Sequence, residues 1–215
     1  MSTVLDHLVV AANSLDEGVR WCEATLGITP GPGGSHPLMG THNCVFSVAS
    51  DVFPDAYFEI IAIDPQVAPI DRARWFGLDT IGLATGPRLV HWVARTTSLD
   101  VDLAALRALD IDAGEAVAAS RDTPSGRLQW RIAVRPDGRV LAGGALPTLI
   151  EWGACHPAAS MPASGVMLRS LRLRGLAPEV VESLALKGIE SATDPGPALT
   201  ACLATPRGRV TLTSN

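Results

Sequence analysis

His7 and His91 each stand inside a strand-like run, LDHLVVA and LVHWVAR, and each is followed seven residues later by Ser-Leu-Asp. The two segments match without a gap at an offset of 84 positions (91 − 7). Two carboxylates are placed alike: Glu59 in YFEIIAI and Glu151 in TLIEWGA, each in mid-strand among apolar neighbours near the end of its half of the chain. Imidazoles and carboxylates are the side chains that ligate divalent metals and move protons. A carboxylate buried without a partner is costly. The matched placing therefore favours a shared task, metal binding first, over two unrelated structural histidines, although a lone strand histidine is usually a satisfied structural residue.

Positioning these residues requires a duplicated unit. In each copy Ser-Leu-Asp opens a stretch of helical period, DEGVRWCEATLGI and then DVDLAALRALDI. Leu15, Val19, Cys22 and Leu26 recur at the spacing of one helix face. Strands are predicted at about 4–12, 41–49 and 57–63 in the first copy, with a weak one near Ile28. In the second they are predicted at about 89–95, 115–121, 128–134 and 148–154, with turns at Pro124-Ser125-Gly126 and Pro136-Asp137-Gly138. Both copies read strand with His, helix, then strands of which the last carries Glu. The repeat is too long for a solenoid unit. A connector with a short helix around Arg72–Phe76 lies between them. From about Met167 a third, incomplete echo has a strand, a helix and two short strands, with Leu168 at the histidine's place; it is expected to cover a sheet edge or an outer face and to take no part in chemistry. The expected organisation is a first module at 1–64, a connector at 65–87, a second module at 88–156 and a half module at 167–215.

Strand alternation assigns faces. Asn43 shares the smaller, more polar face of its strand with Val45 and Ser47 and is directed to a cavity as a substrate contact. Arg131, with Arg127 and Gln129, lines the cleft and favours an anionic substrate, or else sits on a solvent-facing edge. Trp92, Trp130 and Trp152 fall opposite His91, Arg131 and Glu151 and read as sheet–helix core. Asp6, a potential partner for His7, is sent by alternation to the other face. The stretch Gly31 to Gly40, with four glycines and two prolines, reads as a mobile lip over the cleft that brings His36 to a substrate; a fixed loop with a solvated His36 is the plain alternative.

The 215 residues give ample chain for a core, and 47% apolar content says globular. A net charge of −5, with 17 scattered basic residues, excludes nucleic acid as a natural partner. No apolar run reaches the roughly 18 residues of a membrane span, and the N-terminus carries no basic segment ahead of an apolar one. A soluble, cytoplasmic protein is expected, with a homodimer allowed. Four single cysteines without CxxC spacing read as buried free thiols.

The order strand-helix-strand-strand-strand, twice over, with His on the first strand and Glu on the last, resembles the vicinal oxygen chelate superfamily. The segments GGSHPLMGTHN, YFEIIAIDP, RDTPSGRLQWR and LPTLIEW resemble its glyoxalase-like domain branch in particular. The resemblance implies an α+β fold in which two βαβββ modules pair into an open, curved, barrel-like sheet, with the C-terminal half module added. It also implies a divalent metal, Ni, Co, Zn, Mn or Fe, held by His7, Glu59, His91 and Glu151, with Glu59 or Glu151 as the proton shuttle. The implied activity is lyase or isomerase chemistry on a small substrate with vicinal oxygens, through an enediolate. An extradiol-dioxygenase-like oxygenase using His7, His91 and Glu151, or a metal-free protein that sequesters a small molecule, are the alternatives.

Overall fold

The computed structural model describes residues 3–123 and 126–214; the Pro124-Ser125 part of the expected turn lies outside them. The first module runs β1 (Thr3–Ala11), α1 (Leu15–Thr25), β2 (Gly31–His36), β3 (Thr41–Ser47) and β4 (Tyr57–Ile63). The second runs β5 (Arg88–Arg95), α2 (Leu99–Ala108), β6 (Glu115–Thr123), β7 (Gly126–Val134) and β8 (Thr148–Trp152). The third unit comprises β9 (Met167–Arg174), α3 (Pro178–Ser183), β10 (Leu186–Lys187), β11 (Ile189–Ala192), β12 (Leu199–Thr205) and β13 (Gly208–Thr213).

The modules join through the antiparallel pair β1 and β5, giving the order β2-β3-β4-β1-β5-β8-β7-β6, a mixed α+β fold around a curved, nearly closed sheet. The first helix starts where the sequence directs it: Ser14 is extended (φ −149, ψ 160) and its Oγ accepts from the Glu17 amide, with Asp16 and Glu17 in the first turn. The outer faces of the strands bury Leu8, Phe58, Ile60, Trp92 and Leu149 against both helices. The inner faces bury Val9, Ile61, Val93, Trp130, Ile132 and Ile150 in a second, smaller core.

Both modules break strict alternation at the same place. Leu5 pairs with Ala94 and His7 with Val93, leaving Asp6 without a partner, while Val9 pairs with His91 and Val10 with Leu89, leaving Val90 without one. Asp6 and Val90 are related by the same offset as His7 and His91. Each pair of residues opposes a single residue across the ladder, the arrangement of a β-bulge, which turns a side chain from the face that alternation would give it.

Three expectations change here. The strand expected near Ile28 lies instead at Gly31–His36, built from the Gly-rich stretch and paired with β3. The third unit has two additional strands, β10, which pairs with β1 of the main sheet, and β11, and its own sheet order β11-β9-β12-β13 differs from that of either module because β11 pairs directly with β9. Its Leu168, Leu171, Leu199 and Leu203 join the outer core, so it covers the outer face of the main sheet. Of the four free thiols only Cys22 is fully buried, and Cys155 is exposed. Among the described residues no helix is long and apolar enough to cross a membrane.

Candidate functional site

The inner face of module one carries a chain of polar side chains. His7, 4% exposed, contacts Asp6 Oδ1 through Nδ1 at 2.6 Å, and its ring stacks on Tyr57 at 4.5 Å. Asp6 is fully buried, and its Oδ2 accepts from Trp152 Nε1 and contacts His156 Nε2, both at 2.9 Å. The bulge makes this possible. Without the extra residue, Asp6 would point into the outer core, as alternation predicted. On the other side of His7, Nε2 lies 3.5 Å from Glu59 Oε2, beyond the 2.7–2.9 Å of a charge-assisted hydrogen bond, and Oε2 is buried with no hydrogen-bond partner.

Glu59 Oε1 accepts from Asn43 Nδ2 at 2.6 Å. Asn43 and Glu59 are diagonal neighbours on adjacent strands, since Val45 pairs with Glu59 and Asn43 with Ile61. The amide is oriented from behind: its Oδ1 accepts from the Gly34 amide at 2.8 Å and from Arg121 Nη1 at 3.3 Å, so only Nδ2 can face the carboxylate. Arg121 reaches this point from β6, at the far edge of the sheet, by lying across Gly34, where a Cβ would come within 2.9 Å of its Cδ. A methyl at Gly33 would overlap Asn43 itself. The glycines therefore serve close packing in a paired strand, which replaces the expected mobile lip. His36 is packed edge-on to Trp75 at 5.2 Å, and its Nδ1 contacts Thr41 Oγ1 at 3.2 Å.

These groups open on a pocket of about 480 Å³, its mouth included, lined by His7, His36, Asn43, Glu59 and Arg121 and walled by aromatic rings. Burial alone would lower the His7 pKa, but the Asp6 and Glu59 carboxylates outweigh it and hold His7 at about 9, charged at neutral pH. For Asp6 and Glu59 burial acts upward, and their histidine partners overcome it, so both carboxyls are depressed and ionised. Burial takes His36 down to about 4 and His91 to about 3, leaving both neutral.

His91 lies on the inner face of module two but outside this pocket. Trp75 and Phe76, from the connector's short 3-10 turn at Trp75–Gly77, stand between them, with the Phe76 ring 5.4 Å from that of His91. Phe76 holds φ 57, a left-handed conformation uncommon for a bulky residue, and the following Gly77 amide is tied to the Gly138 carbonyl at 2.8 Å. Nε2 of His91 accepts from the Thr148 amide at 3.1 Å and contacts Thr148 Oγ1 at 3.0 Å.

Thr148 is the counterpart of Glu59: β1 Val9 pairs with Glu59, and β5 Val93, its equivalent, pairs with Thr148. Glu151 stands three residues further on and faces outward, where Arg131 Nη1 holds it at 3.1 Å and Arg131 Nη2 binds Asp100 at 2.6 Å beside the start of α2. Inward places on these strands are taken by Trp130 and Trp152, which pair across the ladder. The structure thus brings together His7, Glu59, Asn43 and His36 and leaves out His91, Glu151 and Arg131. Arg121, Asp6 and His156 complete the site without having been expected there.

A model of the glyoxalase-like domain matches residues 5–187. The chain belongs to that family. It is a member of the glyoxalase-like branch of the vicinal oxygen chelate superfamily, and its curved sheet is the fold of that group. Among solved structures, a hypothetical protein from Staphylococcus aureus is similar at 11% identity and a TM-score of 0.59, over 99% of this chain and 86% of that one. Methylmalonyl-CoA epimerase from Mycobacterium tuberculosis is similar at 19% identity and a TM-score of 0.41, over 73% and 91%. A variant of the Streptomyces coelicolor methylmalonyl-CoA epimerase, in complex with 2-nitronate-propionyl-CoA, gives 17% and 0.43, over 71% and 96%. No curated protein matches the sequence.

The ligand set implied for a divalent metal does not assemble in this glyoxalase-like chain. Catalytic metal sites use three protein ligands. Here the His91 Nε2 lone pair is spent on a backbone amide, Glu151 is on the other face, and Asp6 is saturated by His7, Trp152 and His156. Among the described residues no three His, Cys, Asp or Glu side chains are grouped to hold a metal. What remains is a charged pair, His7 and Glu59, held from both ends.

Proposed function

We propose that this glyoxalase-like protein is a proton-transfer enzyme of the isomerase or lyase type, acting on a small α-hydroxycarbonyl compound with Glu59 as base and His7 as acid. The reading rests on the Glu59 Oε2 atom: buried, without a hydrogen-bond partner, on a side chain that lines the pocket, and 3.5 Å from a protonated imidazole. A carboxylate and an imidazolium side by side in one pocket supply a base and an acid for such a transfer. Glu59 removes the proton on the carbon beside the carbonyl, and the electron pair moves to the carbonyl oxygen. His7, whose charge Asp6 sustains, donates a hydrogen bond or its proton to that oxygen. Asn43 keeps Glu59 in place, a positioning role rather than the substrate contact first expected of it.

The test uses acetoin in D2O, with exchange of its carbinol C–H followed by NMR. The chain as purified and the chain treated with EDTA should exchange it at the same rate, and Glu59→Gln should lose at least a hundredfold, within the range of one general base. Exchange by Glu59→Gln at the wild-type rate would refute the assignment. Binding without exchange in the wild type would instead favour a sequestering protein.

A further inference from the structure

The chain has few aromatic residues, five Trp, one Tyr and four Phe, yet Tyr57, Trp75, Phe76, Trp130 and Trp152 all line the one pocket that holds Glu59. Trp130 and Trp152 stand side by side at 5.4 Å, and the indole N–H of Trp152 is anchored on Asp6. The wall is thus fixed to the same carboxylate that charges His7. Three buried groups on lining residues lack hydrogen-bond partners: Trp75 Nε1, a donor on the aromatic wall, and, at the polar end, Arg121 Nε, a donor, and Glu59 Oε2, an acceptor 3.5 Å from the His7 ring nitrogen. Glu59 and Arg121 are both attached to Asn43, one through each end of its amide. An unmet donor and an unmet acceptor held by one amide suit a ligand group that presents an acceptor oxygen next to an acidic hydrogen. An aromatic wall beyond them suits a flat ring.

We infer that the substrate of the proposed reaction is an aryl-substituted α-hydroxycarbonyl compound, its ring on Trp130 and Trp152, its carbonyl oxygen on Arg121 and its carbinol C–H at Glu59 Oε2. In the step, the C–H bond breaks, the proton goes to Glu59, and the pair forms the C=C of an enediolate whose negative oxygen lies by Arg121 and His7. Return of the proton to the same carbon regenerates substrate. For the isomer with hydroxyl and carbonyl exchanged, His7 gives its proton to the former carbonyl oxygen and takes back that of the former hydroxyl, and Glu59 then returns its proton to the other carbon. No oxidant or co-reactant is consumed. Arg121 and Trp130 then determine specificity for that step.

This rests on the proton-transfer reading, and the two separate experimentally. Phenylacetylcarbinol is acetoin with a phenyl ring in place of one methyl, so the pair isolates the ring. Wild-type protein should bind phenylacetylcarbinol at least tenfold more tightly than acetoin, read by tryptophan fluorescence, and should exchange it with a kcat/KM at least tenfold higher once each is divided by the compound's own buffer-catalysed exchange rate, since the ring also acidifies the carbinol C–H. Trp130→Leu should shrink both ratios, and Arg121→Met should raise KM for both compounds. Equal binding of the two probes by the wild-type chain would overturn the inference with no variant needed, even where Glu59→Gln abolishes exchange and the proton-transfer reading stands. Tighter phenylacetylcarbinol binding without any exchange would leave the ligand class in place and remove the reaction.

Discussion

Replacing Asp6 by Asn tests the charged pair most directly. Asp6 takes three contacts on two oxygens, at 2.6, 2.9 and 2.9 Å, in a fully buried position. Asparagine keeps the shape, but its NH2 must face either the His7 or the Trp152 and His156 nitrogens, and its charge no longer offsets that of His7. A hydrogen bond to a charged group contributes about 1.5–3 kcal/mol, and removing one member of a buried pair costs about 3–5 kcal/mol. The expected loss for Asp6→Asn is therefore about 3–4 kcal/mol between about pH 4 and 6.5, where Asp6 is ionised and His7 is charged in the folded and unfolded states alike. Above about pH 9 the wild-type His7 has itself lost its proton, so the difference between the two proteins should narrow. Urea denaturation across this range measures both quantities, and NMR should find the His7 pKa moved down in the variant. A loss under about 1 kcal/mol, or one that stays constant from below pH 6.5 to above pH 9, would refute the ionic account of this cluster.

The pH dependence of wild-type stability follows from the same shifts. Asp6 and Glu59 are depressed, so their contribution is present above their unfolded values of 3.8 and 4.5 and is lost as pH falls through the folded ones; His7 is raised, so its contribution is present below 6.5 and is lost toward about 9. His36 and His91 are lowered, so stability also falls as pH drops below 6.5, where both charge in the unfolded chain but stay neutral in the folded one. Thermal melts should therefore peak at about pH 6.5 to 7, and stability still rising at pH 8 would contradict the assignment. Gly33→Ala places a methyl on the side-chain and carbonyl oxygens of Asn43 and should cost about 3 kcal/mol, whereas Gly82→Ala, which meets nothing within 4 Å, should change stability by less than about 0.5 kcal/mol. Equal melting temperatures for the two alanine variants would mean that β2 yields freely.

The duplicated plan, the two helices that begin after Ser14 and Ser98, and the inward placing of His7, Glu59 and Asn43 were legible from repeat register and alternation. What alternation could not give was any residue at a bulge. Asp6 was sent to the wrong face because the extra residue in β1 leaves no mark in composition. Glu151 was matched to Glu59 by type and by its place near the end of a module, but ladder register gives that place to Thr148. A period of two separates the faces of one strand without saying which is inner, and so Trp130 and Trp152 were assigned to the helix side and Arg131 to the cleft. The glycines at 33 and 34 were visible, but their reason, a guanidinium arriving from a strand nearly 90 residues later, is a tertiary contact (121 − 34). The pair Gly33-Gly34 facing a strand with Asn43 was the available signal.

The equivalent bulges put two imidazoles on like backbone geometry, one flanked by Asp6 and Glu59 and the other by Val90 and Thr148. Their protonation diverges accordingly, with His7 at about 9 and His91 at about 3. The molecule therefore carries its own blank. At neutral pH a single spectrum should contain one imidazolium and one neutral ring in matched settings, so a drift in temperature, ionic strength or isotope that moves both is set apart from an event at the pocket that moves His7 alone.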